Sequence, residues 1–307
     1  MKNLTRPGTG IAYIVLTAGC FATTDATVKH LGAALPVLVL LWSRYAFQTT
    51  AMALMQATRR GWRGMFRSGH PRLQALRATL LLANATCSFV GLQYLPLAEF
   101  TALAMLAPMA STLLASLVLR ERVTPARWAM VLLGFLGMLV IVRPGSGSIG
   151  WAVALPLAGA LFFAAFQIVT NRLADVDDMV TTNLFSGVGA LLTLCVALAV
   201  LPVDLMPTLS HASTGQWLQI GMIGAIATLG QMCMVLAIRS APLSTLTPFG
   251  YVQIAFAATI SWLLFRHAPD LWTAAGMGLI AFGGAATVWL NKRETAHRET
   301  ATSSQAG

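Results

Sequence analysis

Three charged residues stand inside otherwise apolar runs: Asp25 in "CFATTDATVKH", Arg44 in "LLWSRYAFQ" and Glu99 in "LPLAEFTALAMLAPMAS". A charge in hydrocarbon costs roughly 2.5–3.5 kcal/mol on insertion scales, so such a side chain faces a partner or a cavity. A carboxylate and a guanidinium brought together can respond to a solute's charge or to a proton. They can equally form a structural ion pair that fixes helix register. Both readings stand for Asp25, Arg44 and Glu99. Lys29 shares a helix face with Asp25, four residues on, and reads as a side chain reaching for the interface.

Neutral polar residues supply a second set: Gln167, Asn171, Asn183, Gln231, Tyr251 and Gln253. They can orient a ligand or hydrogen-bond between helices. Trp42, two residues before Arg44, can stack on a planar ligand or sit as an interfacial aromatic. Pro96, Pro108, Pro242 and Pro248 interrupt two apolar runs. Pro96 and Pro242 suit helix starts, whereas Pro108 and Pro248 read as hinges within helices.

Other chemistries find no support. His30, His70, His211, His267 and His297 lack metal-ligand spacing. The four cysteines lie singly in apolar runs and read as small packing groups. No nucleophile stands with a base, so an enzyme is not expected, nor a cofactor. "GSGSIG" at 145–150 follows an apolar span, not a strand, so it reads as a linker and not as a dinucleotide loop. Asn84-Ala85-Thr86 fits a glycosylation acceptor but falls inside an apolar span.

These residues belong to a chain of 307 residues that is 57% hydrophobic and 10% charged, with a mean hydropathy of +0.72. A soluble domain carries about 25% charged residues. The composition is that of a multi-span membrane protein. The net charge of +10 sits in short gaps between spans, which excludes a nucleic-acid-binding face.

At about 20 residues per span, ten spans are expected: roughly 10–29, 36–57, 73–94, 97–119, 126–142, 150–171, 179–201, 216–238, 243–265 and 272–290. Arg59, Arg60, Arg63, Arg67 and Arg72 crowd the gap after the second span. The excess of Lys and Arg places that gap, and by alternation both termini, in the cytoplasm. Lys29, Arg143 and Arg266 fall outside. Asp25 then lies roughly 20 Å up its helix and Arg44 roughly 12 Å below the outer boundary. "MKNLTRPGTG" lacks a cleavage site and reads as the start of a retained span. Residues 1–9 are expected as a cytoplasmic lead and 291–307 as a disordered cytoplasmic tail.

The halves resemble each other. "LPLAEFTALAMLAPMASTLLASLVLRERVTPARW" (95–128) aligns with "APLSTLTPFGYVQIAFAATISWLLFRHAPDLW" (241–272). Pro96 falls on Pro242, and Gly10 and Gly19 match Gly150 and Gly159. Each half, 10–143 and 150–290, has five spans. An odd count inverts the second repeat, an arrangement common in secondary transporters. Asp25 and Glu99 correspond to Ala165 and Thr245, so the charge chemistry belongs to the first half. Glycines 134, 137, 276, 278, 283 and 284 give the last span of each half a small face for packing or dimer contact.

The sequence here resembles the drug/metabolite transporter superfamily, in its EamA-type ten-helix form. "LPLAEFTALAMLAP" and "LRERVTPARWAMVLLGFLGMLVIVRPG" carry the likeness in one half, "APLSTLTPFGYVQ" and "PDLWTAAGMGLIAFGG" in the other. It covers about residues 10–290. One departure is Arg120-Glu121 and Arg266-His267, where the family has Gly-Glu. The resemblance implies an all-α fold of ten helices around a cavity, alternating access, and a small organic solute. It sets Tyr251 beside that cavity. The "LPLAEFTA" and "TPFGY" forms look most like the carriers of S-adenosylmethionine and riboflavin type.

The expectation is therefore a secondary carrier in the cytoplasmic membrane, as a monomer or homodimer. A proton is a candidate coupling ion. The alternative is a multi-span enzyme or receptor. The expected binding or coupling residues are Asp25, Arg44, Glu99, Trp42, Tyr251, Gln167, Asn183 and Gln253, with hinges at Pro108 and Pro248.

Overall fold

The computed structural model describes residues 7–60, 68–107, 109–110, 114, 125–143, 150–173, 176–200, 213–241, 246, 249–286 and 289. Among them there are helices and connections but no strand. In the first half run α1 (Pro7–Leu31), α2 (Val37–Arg60), α3 (Pro71–Tyr94), α4 (Leu97–Ala104) and α5 (Pro125–Val142). In the second run α6 (Ala154–Leu173), α7 (Met179–Val200), α8 (Thr214–Ser240), α9 (Val252–Phe265) and α10 (Leu271–Ala286). All ten expected spans therefore have a helical counterpart.

Five of these are long and apolar enough to cross a membrane by length and composition alone, namely α1, α3, α6, α7 and α8. In α2 the same length carries Arg44, Gln48 and Gln56, all buried inside the protein. Lipid-facing helices keep polar groups on their protein side, and α2 does so at the expense of mean hydropathy. Pro71 begins α3 at a position that needs no amide hydrogen. Ser213 and Gln216 form a reciprocal capping box at α8. The Asp270 carboxylate accepts the Thr273 amide at the start of α10.

The packing is two-fold in pattern. α1 lies along α8 and α9, and α6 lies along α3 and α4; α2 packs on α7 and α4 on α9. Adding five to each helix number, cyclically, maps this set onto itself. That is the contact pattern of two five-helix repeats related by a pseudo-two-fold axis. The last pair obeys it too. A Cβ on Gly137 (α5) would stand 2.9 Å from the Gly276 carbonyl oxygen, and one on Gly276 (α10) would stand 2.7 Å from that of Gly137. Only glycine permits this approach.

The two ends of the bundle are held differently. At one end Lys29 donates to the Leu92 and Leu95 carbonyls at 2.9 and 2.8 Å, and Arg143 pairs with Asp270. At the other end Ser68, the Gly69 amide and Gln74 all donate to the Asp177 carboxylate. Arg239 donates to the Asp177 carbonyl. Lys29 thus caps α3 rather than reaching out of the protein. The charged tail, Arg120-Glu121, Pro108 and Pro248 lie outside the described residues.

Candidate functional site

The α1 sequence places Ile14, Thr17, Ala18, Phe21, Thr24 and Asp25 at steps of three and four, one helical face. All six line a central cavity, in two lobes that share Phe21, Met105, Phe163 and Gln253. Threonine hydroxyls on this face bond back to the helix, Thr24 to the Cys20 carbonyl and Thr17 to that of Tyr13. Thr17 also reaches the Gly230 carbonyl of α8 at 3.3 Å. A Cβ on Gly230 would come within 3.0 Å of Cys20, so glycine permits the crossing that brings α8 to the cavity wall.

The upper lobe is polar. Arg44 of α2 and Asp25 of α1 both line it, with Asn84 and Ser88 of α3, Thr101 of α4 and Gln231 of α8. The Arg44 guanidinium lies over the rings of Tyr45 and Phe89, 5.2 and 5.6 Å from their centroids. It makes no hydrogen bond to Asp25, though its charge acts on that carboxylate. Three polar atoms at this lobe are buried without a partner: Arg44 Nε, Thr101 Oγ1 and Gln231 Oε1. A buried polar group left unpaired costs about 1–3 kcal/mol. Such groups concentrated at a cavity mark a place for ligand atoms.

The lower lobe is mostly apolar. Its polar members are Thr17, Gln167 of α6, and Tyr251 and Gln253 at the start of α9. The Tyr251 hydroxyl has no partner. It points to α10, where a Cβ on Gly284 would lie 1.5 Å from it; the missing side chain makes room for the phenol. The lobes offer about 70 and 60 Å³, room for a few waters at about 30 Å³ each. Pockets for drug-sized ligands have about 300–1,000 Å³, so admitting a ligand of that size requires the helices to part.

Five expected residues thus meet in one cavity: Asp25, Arg44, Gln167, Tyr251 and Gln253. Three lie elsewhere. Glu99 is buried in α4, and its Oε1 lies 3.2 Å from His267 Nε2. The Lys29 and Glu99 charges also interact. Arg266 adopts φ 53° as the left-handed cap of α9, and that reversal turns His267 back towards α4. Trp42 is 39% exposed and donates to Cys195 Sγ at 3.3 Å, on the outer surface of the bundle. Asn183 of α7 is buried against Arg77.

Arg77 is a residue that sequence reasoning missed, as are Asn84, Ser88 and Thr101 of the cavity wall. The arginine is wholly buried in α3. It donates to Thr170 Oγ1 at 2.8 Å, to the Thr182 carbonyl at 3.0 Å and to Ser186 and Asn183, with Phe166 4.6 Å from its guanidinium carbon. One side chain of the first half therefore ties α6 and α7 of the second. As to the hinges, α4 ends at Ala104 and the chain turns at Met105 and Leu106.

The family model of the EamA-like transporter family matches residues 8–143 and again 150–289. A riboflavin transporter of Rhizobium johnstonii is 31% identical over 222 residues, 70% of each chain. The pseudopaline exporter CntI of Pseudomonas aeruginosa is 27% identical, over 88% of this chain and 93% of its own. An S-adenosylmethionine uptake transporter of Rickettsia prowazekii is 20% identical, over 88% and 89%. A solved crystal structure superposes with a TM-score of 0.64 over 93% of this chain and 96% of its own, at 19% identity. That likeness shows the fold.

Proposed function

This chain belongs to the EamA-like transporter family, and we propose from that premise that it is a secondary carrier working by alternating access. It is a multi-pass membrane protein that transports a small molecule, as its relatives are named to do. The finer reading is that the two repeats rock about the central cavity of the cytoplasmic membrane and expose it to each side in turn. Both termini would face the cytoplasm, which puts Asp177 at the inner end and His267 at the outer.

The observation that carries this reading is the cavity itself. It lies between the repeats, is walled by α1, α2, α3 and α4 and by α6, α8 and α9, and is too small for a drug-sized solute in this conformation. Contacts that hold the repeats together occur at both ends, so opening one end means breaking one set. Asp25, Arg44, Gln167, Tyr251 and Gln253 are the proposed binding residues, with Asp25 the proposed group for a coupling proton. Glu99 is assigned instead to outer closure with His267. Riboflavin, pseudopaline and S-adenosylmethionine, the solutes named for the relatives, set the size class.

The test is flux in proteoliposomes carrying the purified full chain, with those three compounds and the amino acids as tracers. Saturable, counterflow-stimulated flux is expected. Asp25→Asn should lower it and alter its pH response; unchanged flux and pH response in that variant would remove Asp25 from the mechanism.

A further inference from the structure

Resting on the same cavity as the carrier reading, we infer that its ligand is a zwitterion: a compact molecule with a cationic nitrogen, a carboxylate and an apolar body. The upper lobe presents one carboxylate, Asp25, and one guanidinium, Arg44. The two are not bonded to each other, and Asp25 has no hydrogen-bond or ion-pair partner in the described structure. A structural ion pair would have closed. Two opposite charges held apart on a buried surface are unfavourable alone, and a ligand carrying the complementary charges offsets both.

The chemistry of each end is specific. Tyr45 and Phe89 flank the Arg44 guanidinium, which leaves its in-plane N–H groups for an acceptor. Its Nε is buried and unpartnered. Nε–H with a neighbouring terminal N–H is the fork that binds a carboxylate in two parallel hydrogen bonds. Ionised, Asp25 accepts hydrogen bonds only and suits an ammonium. The unpaired Thr101 hydroxyl and Gln231 amide oxygen give further acceptors for its protons. Phe21, Phe100 and Phe163 form the wall for the apolar body.

Other charge types fit less well. A dianion would meet Asp25, and a simple cation would meet Arg44. An uncharged planar ligand such as riboflavin could use the hydrogen bonds but would leave both charges uncompensated.

The test is direct binding to the purified wild-type chain in detergent, by calorimetry. The probes are the neutral amino acids, glycine betaine and riboflavin. For the tightest amino acid, its methyl ester removes the anion and its N-acetyl form removes the cation. At least one zwitterion should bind, and each masked form should bind about tenfold more weakly or worse, the worth of one charged hydrogen bond. Asp25→Asn should erase the discrimination against the N-acetyl form, and Arg44→Gln that against the ester. The masking series needs no variant, so a misfolded mutant leaves it intact. Riboflavin binding with no zwitterion bound, no binding by any zwitterion, or masked forms binding as well as the parent overturns the inference. Riboflavin flux without zwitterion binding defeats this inference and spares the carrier; zwitterion binding without flux does the reverse.

Discussion

Glu99 Oε1 lies 3.2 Å from His267 Nε2, joining α4 of the first repeat to the turn after α9 of the second. Glu99 is 6% exposed, and its other oxygen has no partner. His267→Ala removes the one hydrogen bond of a buried carboxylate, so we expect about 1–3 kcal/mol of destabilisation. Glu99→Gln in the same background removes a buried charge that keeps only Lys29 nearby among the described residues, and should recover part of the loss. Melting of the purified variants in detergent checks the order: wild type highest, His267→Ala lowest, the double variant between.

Arg77 makes a sharper case. Its fork serves Thr170, Thr182, Ser186 and Asn183 at once. Removing it strands several buried acceptors of α6 and α7. Each buried acceptor left unpaired costs about 1–3 kcal/mol, so Arg77→Ala should fail to accumulate as a monodisperse protein. Arg77→Lys should rescue poorly, because an ammonium cannot hold a planar set of acceptors. Size-exclusion profiles of the two variants decide this; a stable Arg77→Lys would show that charge alone suffices.

Asp177 predicts a pH dependence at the opposite end. Burial pushes its carboxyl up, but hydrogen bonds from Ser68, Gln74 and the Gly69 amide, with the nearby His70, outweigh that and hold it below its ordinary value. A depressed folded-state value adds stability above the unfolded value of about 3.9 and loses it as pH falls further. The melting temperature should therefore fall below about pH 4 by less in Asp177→Asn than in the wild type. Parallel melting curves between pH 7 and pH 3 measure the difference.

The close approach of α5 and α10 gives a steric prediction. A methyl on Gly276 meets the Gly137 carbonyl oxygen and Ile141, so Gly276→Ala must push two backbones apart. Overpacking of this kind costs about 1–3 kcal/mol. Gly278, with nothing within 4 Å of an added Cβ, is the matched control, and Gly278→Ala should melt at or above the wild-type temperature, since alanine favours a helix interior over glycine.

Much of this was legible in the sequence, and the rest was hidden for physical reasons. Apolar run lengths yield the helices because hydrocarbon demands about 20 residues per crossing. The five-and-five repeat was written in Pro96 and Pro242 and in the paired glycines. Arg77 escaped because a basic residue near the start of a span looks like a topology signal until its acceptors, 93 to 109 residues away, are seen. Trp42 and Arg44 are two apart, so they point to different sides of α2; only the packing tells which side is the cavity. The Glu99–His267 contact spans 168 residues, and no local pattern announces it. Asn84 sat inside a motif that the membrane context ruled out, yet it lines the cavity.

Tyr251 separates a binding role from a packing role. Its ring is buried, its unpartnered hydroxyl turns into the space left by Gly284, and the residue lines the lower lobe. Tyr251→Phe keeps the ring and deletes an oxygen that bonds to nothing in the folded protein, so stability should stay within about 0.5 kcal/mol or rise. A solute that bonds the hydroxyl as it passes loses that bond, and apparent affinity should fall about threefold to tenfold, the worth of about 0.5–1.5 kcal/mol. Flux kinetics in proteoliposomes, read beside the melting curve, make the distinction. A raised half-saturation concentration with an unchanged melting temperature places the phenol on the solute path. A lowered melting temperature with unchanged flux kinetics makes Tyr251 a packing residue only.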